Sequence, residues 1–253
     1  MLRTRVIPCL QLIDHSLVKT VKFGSYGYIG DPINTVRIFN ELEVDELLFL
    51  DIRATVQNRG PNLNILEEIA SECFMPLSFG GGLRDFNLVK RIFSIGFEKV
   101  ILNSFAIENP EFVSKVAEHF GNQAVIGSID IKKTLFGKYQ VYSKDGTEKT
   151  KLDPVEWAQK LEDLGVGELL ITSMDRDGTW EGFDIEITKR ISETISIPLI
   201  ANGGAGSMKH IGEVVKKGGA DAISLGSMVV YQKKGMGVMV NFPDKQEIKA
   251  VLE

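Results

Sequence analysis

Two polar residues stand at equivalent places in an internal repeat, and between them they outline an acid–base site with one half altered. Gln11 closes the apolar run Val6-Ile7-Pro8-Cys9-Leu10-Gln11, and Asp130 closes the matching run Val125-Ile126-Gly127-Ser128-Ile129-Asp130. A carboxyl group at a strand end can give or take a proton. A glutamine amide of similar shape can do neither near neutral pH, and losing a positioned acid or base typically lowers a rate by about a hundred- to ten-thousand-fold. Asp14 and Asp51 are the nearby carboxylates that could stand in for the missing acid, although Asp14 falls beyond the strand end.

A second set of residues suits anion binding. Gly80-Gly81-Gly82 and Gly203-Gly204 follow two further equivalent apolar runs, and Asn103-Ser104 and Gly226-Ser227 end another pair. Glycines let backbone N–H groups approach an anion, and a helix starting just after such a turn adds a favourable dipole. Two such cradles related by the repeat imply a ligand with an anionic group at each end.

These residues need elements to hold them, and the repeat specifies the elements. Asp45-Glu46-Leu47-Leu48-Phe49-Leu50-Asp51 echoes Gly167-Glu168-Leu169-Leu170-Ile171-Thr172-Ser173, Met75 to Gly82 echoes Ile197 to Gly204, and Gly96 to Ser104 echoes Gly219 to Ser227. The chain is two copies of one half, a period far too long for a short-repeat solenoid. Each half holds four short apolar runs separated by amphipathic helical stretches, among them Pro32 to Leu42, Leu63 to Glu72, Phe86 to Ile95, Pro110 to Phe120, Pro154 to Leu164 and Lys209 to Lys217. Alternating strand and helix predicts parallel βαβ units. Eight units predict a (β/α)8 TIM barrel built from two repeated half-barrels, for which about 250 residues is typical. The 253 residues then form a single domain, 1–253. A doubly wound open sheet has no natural place for two equivalent four-strand halves. In such a barrel the working groups sit on the loops after the strands.

Composition narrows the function classes. A formal net charge of -5 with 25% charged residues gives no support for nucleic-acid binding, which usually shows a basic face. Cys9 and Cys73 lack close-spaced partners, so neither a disulfide framework nor a zinc knuckle is expected. His15, His119 and His210 are scattered, and neither a metal nor a cofactor is expected. No apolar stretch approaches membrane-spanning length and no signal-peptide pattern opens the sequence, which makes a cytoplasmic location the expectation.

Arg5-Val6-Ile7-Pro8-Cys9-Leu10, Val18-Lys19, Gly30-Asp31-Pro32, Leu50-Asp51-Ile52, the Gly80 triplet, Asn103-Ser104, Thr172 to Thr179 and Gly203-Gly204-Ala205-Gly206-Ser207 resemble the cyclase subunit of imidazole glycerol phosphate synthase (HisF). The likeness runs from residue 1 to about Tyr231, and the stretch Thr172 to Thr179 is its most specific part. The resemblance implies a two-fold-symmetric barrel for a phosphorylated small molecule with a phosphate at each end, fed with ammonia by a class I glutaminase subunit (HisH-like) docked beneath it. By this resemblance Gly82, Asn103 and Ser104 contact one phosphate, and Asp177, Gly178, Gly204 and Ser227 the other. Lys19 matches a lysine on a mobile loop that closes over substrate. Asp130 matches one catalytic aspartate, and Gln11 stands where the other should be. Arg5, Glu46, Lys99 and Glu168, at the starts of strands one, two, four and six, match the charged ring that gates ammonia.

Departures qualify the likeness. No glycine directly follows Lys19, Asn202 stands where the family usually has serine, and Val238 to Pro243 does not resemble the usual tail. A closer similarity is to HisF-like proteins encoded with surface-polysaccharide genes. This implies action beside a glutaminase and an ATP-dependent sugar-amidating ligase that converts an acetamido group on a sugar to an acetamidino group. Two other readings stay open: the full lyase of histidine biosynthesis, and a non-catalytic sugar-phosphate-binding barrel. The single-chain isomerase of the same pathway fits less well, since it too uses a carboxylate at each repeat-related strand end.

Overall fold

The structure is a computed structural model in which residues 4–252 are described. Eight strands form the barrel: β1 (Arg5–Ile13), β2 (Leu47–Asp51), β3 (Leu77–Gly80), β4 (Lys99–Leu102), β5 (Val125–Lys133), β6 (Glu168–Ser173), β7 (Leu199–Asn202) and β8 (Ala222–Leu225). Each pairs in parallel with the next, and β8 returns to β1 with Ala222 beside Arg5 and Leu225 beside Pro8. That last pairing closes the sheet, as the repeat predicts; an open sheet would leave both as edges.

The crossover helices follow from local chemistry. Pro32, Pro110 and Pro154 each open a helix, where a fixed φ and a missing N–H do no harm. Asp31, Asp85, Asp153, Asp184 and Ser207 cap helices by accepting first-turn N–H groups. The expected helices are observed within a residue at either end. The helix between β6 and β7, Ile185–Ser192, is additional to that set, and so is the last one, Lys245–Leu252. This last helix lies against Met208–Lys216 so closely that a Cβ on Gly212 would sit 2.8 Å from the Val251 carbonyl oxygen.

Side chains alternate across each strand. Outward residues such as Leu10, Leu47, Phe49, Phe79 and Val100 join the helices in one large core. Inward residues Ile7, Cys9, Leu48, Ile101, Ile126, Leu170, Ile200 and Ala222 fill the barrel axis as a separate apolar plug. Polar residues therefore sit at the two ends of the axis, below and above this plug.

Two hairpins rise from the C-terminal face. The stretch after β1, read from sequence as a loop, folds as antiparallel strands Ser16–Thr20 and Tyr26–Gly30, with Lys19 paired to Gly27. Lys19 thus lies on an ordered strand and is buried. β5 continues beyond the barrel and pairs with Tyr139–Ser143, which in turn pairs with Glu148–Lys149. No helix among the described residues is long and apolar enough to cross a membrane.

Candidate functional site

At the foot of the barrel, β1, β4 and β6 each begin with a charged residue, and Glu46 immediately precedes β2. These four side chains form a closed square. Arg5 pairs with Glu46 at 2.8 Å and with Glu168 at 3.0 Å, and Lys99 pairs with Glu46 at 3.1 Å and with Glu168 at 2.9 Å. Ser78 on β3 adds a hydroxyl donor to Glu46 at 3.1 Å, a partner not expected from the sequence. Burial of such charges is tolerated only when each is paired, and every member here has two partners of opposite sign. The carboxylate neighbours raise the Arg5 pKa further, against the lowering effect of its burial, which is the largest single influence. The apolar plug lies directly above.

The mouth is different. It holds a cavity of about 860 Å³, counted to its open rim, to which Gln11, Gly82, Asn103, Ser104 and Asp130 all contribute. A smaller recess beside it, about 220 Å³, is lined by Asp177, Gly178, Gly204 and Ser227, and Asn202 borders both. The two expected cradles are therefore brought together at one end, each with its own hollow. Their glycines are required by backbone geometry. Gly82 has φ +67°, and a Cβ there would lie 2.5 Å from the Arg59 carbonyl oxygen; Gly204 has φ +106° and packs against the Gly182 carbonyl.

Asp130 is buried, and its carboxyl is pushed up to about 7. Burial is the main cause; the charges of Asp145 and Asp177 act in the same direction, and a hydrogen bond donated by Asn103 Nδ2 at 2.8 Å opposes them. Such a group exchanges a proton readily near neutral pH. Asn103 is thereby committed to Asp130 through its side chain, so an anion in the first cradle would meet its backbone. Ser104 Oγ accepts the Lys144 N–H at 2.9 Å and keeps its proton for a ligand.

Gln11 faces the same cavity but is turned toward the first hairpin. Its Oε1 accepts the Thr20 N–H at 2.9 Å. Thr20 Oγ1 lies 2.9 Å from Asp177 Oδ2 and 3.2 Å from Gln11 Oε1, and its single proton goes to the carboxylate. What Gln11 leaves for the cavity is its amide NH2, a donor with no proton to transfer. Neither candidate substitute repairs this. Asp14 points outward, with its side chain 67% exposed, and pairs with Arg59 at 3.4 Å. Asp51 lines the cavity, but its oxygens take Arg59 at 2.7 and 3.1 Å and the N–H groups of Arg53 and Ala54.

Lys19, expected on a loop closing over substrate, and Asp177, expected at one phosphate, form a buried ion pair at 2.7 Å, and Lys19 also donates to the Thr20 carbonyl at 2.9 Å. This pair ties the first hairpin to the loop after β6. One further carboxylate was not expected at all. Asp145, between the strands Tyr139–Ser143 and Glu148–Lys149, lines the main cavity, and burial together with the charge of Asp177 pushes it up to about 6 against the influence of Arg53. Its sequence surroundings, Lys144-Asp145-Gly146-Thr147-Glu148-Lys149, read as a solvated turn. The Cys9 thiol, buried on the axis, is pushed up to about 12 by desolvation and is inert as a nucleophile.

Fold and site together define a two-fold-repeated (β/α)8 barrel with paired glycine-lined hollows and a buried acid at one end and a charge ring at the other. The family model described as "Histidine biosynthesis protein" matches residues 5–235, and the chain belongs to that family, as a HisF-like member. It is 45% identical to a Pseudomonas aeruginosa protein bearing the provisional name imidazole glycerol phosphate synthase subunit hisF2, over 98% of this chain and 99% of that protein. It is 42% identical to a Leptospira interrogans protein provisionally named as the HisF subunit of the same synthase, over 99% of each. It is also 42% identical to imidazole glycerol phosphate synthase subunit HisF of Alkaliphilus metalliredigens, over 92% of each. The first two alignments take in nearly the whole chain, so likeness continues past Tyr231 into the tail.

Proposed function

We propose that this chain is the synthase-side barrel of a glutamine amidotransferase, taking ammonia at its foot from a class I glutaminase and delivering it at its mouth, for amidation of a sugar in surface-polysaccharide biosynthesis. The observation that carries this is the contrast between a complete charge ring beneath the axis and an uncompensated amide at Gln11. Arg5, Glu46, Lys99 and Glu168 control admission, the apolar plug offers a path that favours neutral ammonia over ammonium, and Asp130 orients or deprotonates what arrives. The cradles at Gly82, Asn103 and Ser104, and at Asp177, Gly178, Gly204 and Ser227, hold a phosphorylated ligand, with Lys19 paired to Asp177 beside the second. An ATP-dependent ligase docked at the mouth is the expected consumer.

A second reading, the cyclase of imidazole glycerol phosphate synthase, is favoured by the two intact cradles and by the names of the relatives. The assay that separates them is imidazole glycerol phosphate formation from the bis-phosphorylated substrate and saturating ammonium, with the unmodified chain beside Gln11→Asp. Turnover by the unmodified chain would make it a cyclase and sink the first reading. Failure to turn over, together with glutaminase stimulation on complex formation, is the expected result; no stimulation would leave only a sugar-phosphate-binding barrel.

A further inference from the structure

Asp145 stands out among the cavity carboxylates by how little holds it. Asp51 receives an arginine and two backbone N–H groups, Asp177 receives Lys19 and Thr20, and Asp130 receives Asn103. The sole partner of Asp145 among the described residues is Arg53, at 3.6 Å, although its side chain is only 12% exposed. A largely buried carboxylate short of donors is costly, and here the backbone also works to put it there. Lys144, Asp145 and Gly146 are three consecutive residues of positive φ, at 51°, 56° and 72°. The tip they form is pinned in place: the Lys144 N–H donates to Ser104 Oγ at 2.9 Å, and Gly146 packs against Phe23 and Met174.

The residue before Asp145 is thus bonded to a hydroxyl of the first cradle, which sets the carboxylate beside the place where a phosphate would sit. An acceptor-only group there repels a second anion and welcomes hydroxyl donors, and one carboxylate can accept from two hydroxyls on neighbouring carbons. We propose that Asp145 is a specificity residue that reads hydroxyl groups adjoining the phosphate in the first cradle, so that the mouth selects a polyhydroxylated phosphate ester over a plain alkyl phosphate. This rests on the reading of the mouth as a phosphate site.

The test uses three probes on the intact chain by titration calorimetry: inorganic phosphate, n-propyl phosphate and glycerol 3-phosphate, the last two matched in carbon number and differing in two hydroxyls. The expected result is about tenfold tighter binding of glycerol 3-phosphate than of propyl phosphate, falling to near parity in Asp145→Asn and Asp145→Gly. Binding of the other two probes would be unchanged or slightly tighter. Both variants tolerate the left-handed backbone, so the turn survives. Equal loss of all three probes would mean that Asp145 only supports the hairpin, and parity in the unmodified chain would also overturn the proposal. Absence of inorganic phosphate and propyl phosphate binding would instead overturn the phosphate site on which it rests.

Discussion

The two ends of this barrel treat charge in opposite ways. At the foot, two cations and two carboxylates alternate so that each has two partners, and the square is complete without any ligand. At the mouth, Asp130 is raised to about 7, Asp145 to about 6, and among the described residues Asp145 meets only one distant arginine. A self-satisfied ring needs no ligand to be stable, which is what the proposed role of an entry gate requires. Under-partnered carboxylates are unstable alone and acquire their partners from a ligand or a proton. This difference supports the proposed division of labour, an entry gate at one end and chemistry at the other, within a single closed sheet.

The largest effect should come from restoring what the mouth lacks. In Gln11→Asp the ammonia-dependent formation of imidazole glycerol phosphate should rise by about a hundred- to ten-thousand-fold, measured against the unmodified chain under identical saturation. An unchanged rate would mean that the mouth is not limited by its first acid. At the foot the comparison can be broken with Glu46→Ala, which strips an acceptor from Arg5, Lys99 and Ser78 at once. Removing one member of a buried charge set costs about 3 kcal/mol, a fall in Tm of about 6–12 °C for a domain of this size. Phosphate binding at the mouth should not change. A Tm within a degree of the parent would mean that the ring is merely solvated.

Much of this contrast was legible in the residue order. Arg5, Glu46, Lys99 and Glu168 could be placed at strand starts from the residue order, and the family resemblance is what joined them into a ring. The cradles were legible too, since a glycine forced by positive φ marks its place in any sequence. The committed partners of the mouth were not. Lys19 and Asp177 are far apart in the chain, and their pairing depends on the hairpin Ser16–Thr20 and Tyr26–Gly30, two five-residue strands in a stretch that reads from sequence as a loop. Asp145 was hidden in the same way: among lysines and a glycine it resembles a surface turn, and only the docking of that turn on Ser104, Phe23 and Met174 buries it. The fate of Asp14 was visible, because a residue past the strand end has no inward direction to inherit.

Two smaller effects sharpen the comparison. Gly82→Ala places a Cβ against the Arg59 carbonyl in a backbone of φ +67°, at a cost of about 1–2 kcal/mol. Inorganic phosphate affinity should fall with it, while Gly235→Ala, at φ +77° with open space around it, should lower stability by less and leave phosphate binding intact. Equal phosphate affinity in both variants would remove the first cradle from the site.

The last concerns the cost of the raised acid itself. Folded Asp130 keeps its proton to about pH 7, whereas an unperturbed aspartate releases it near 3.8. Between those values the folded state binds more protons than the unfolded one, so stability falls as pH rises. The favourable contribution is complete below about pH 4 and gone above about pH 7. Asp130→Asn removes that dependence, and its Tm should exceed the parent's by a few degrees at pH 8 and match it near pH 4. No comparable gain is expected from a neutral replacement of Glu168, whose charge is spoken for by Arg5 and Lys99; there the Tm should fall. If both substitutions shifted Tm in the same direction at pH 8, mouth and foot would hold their carboxylates alike.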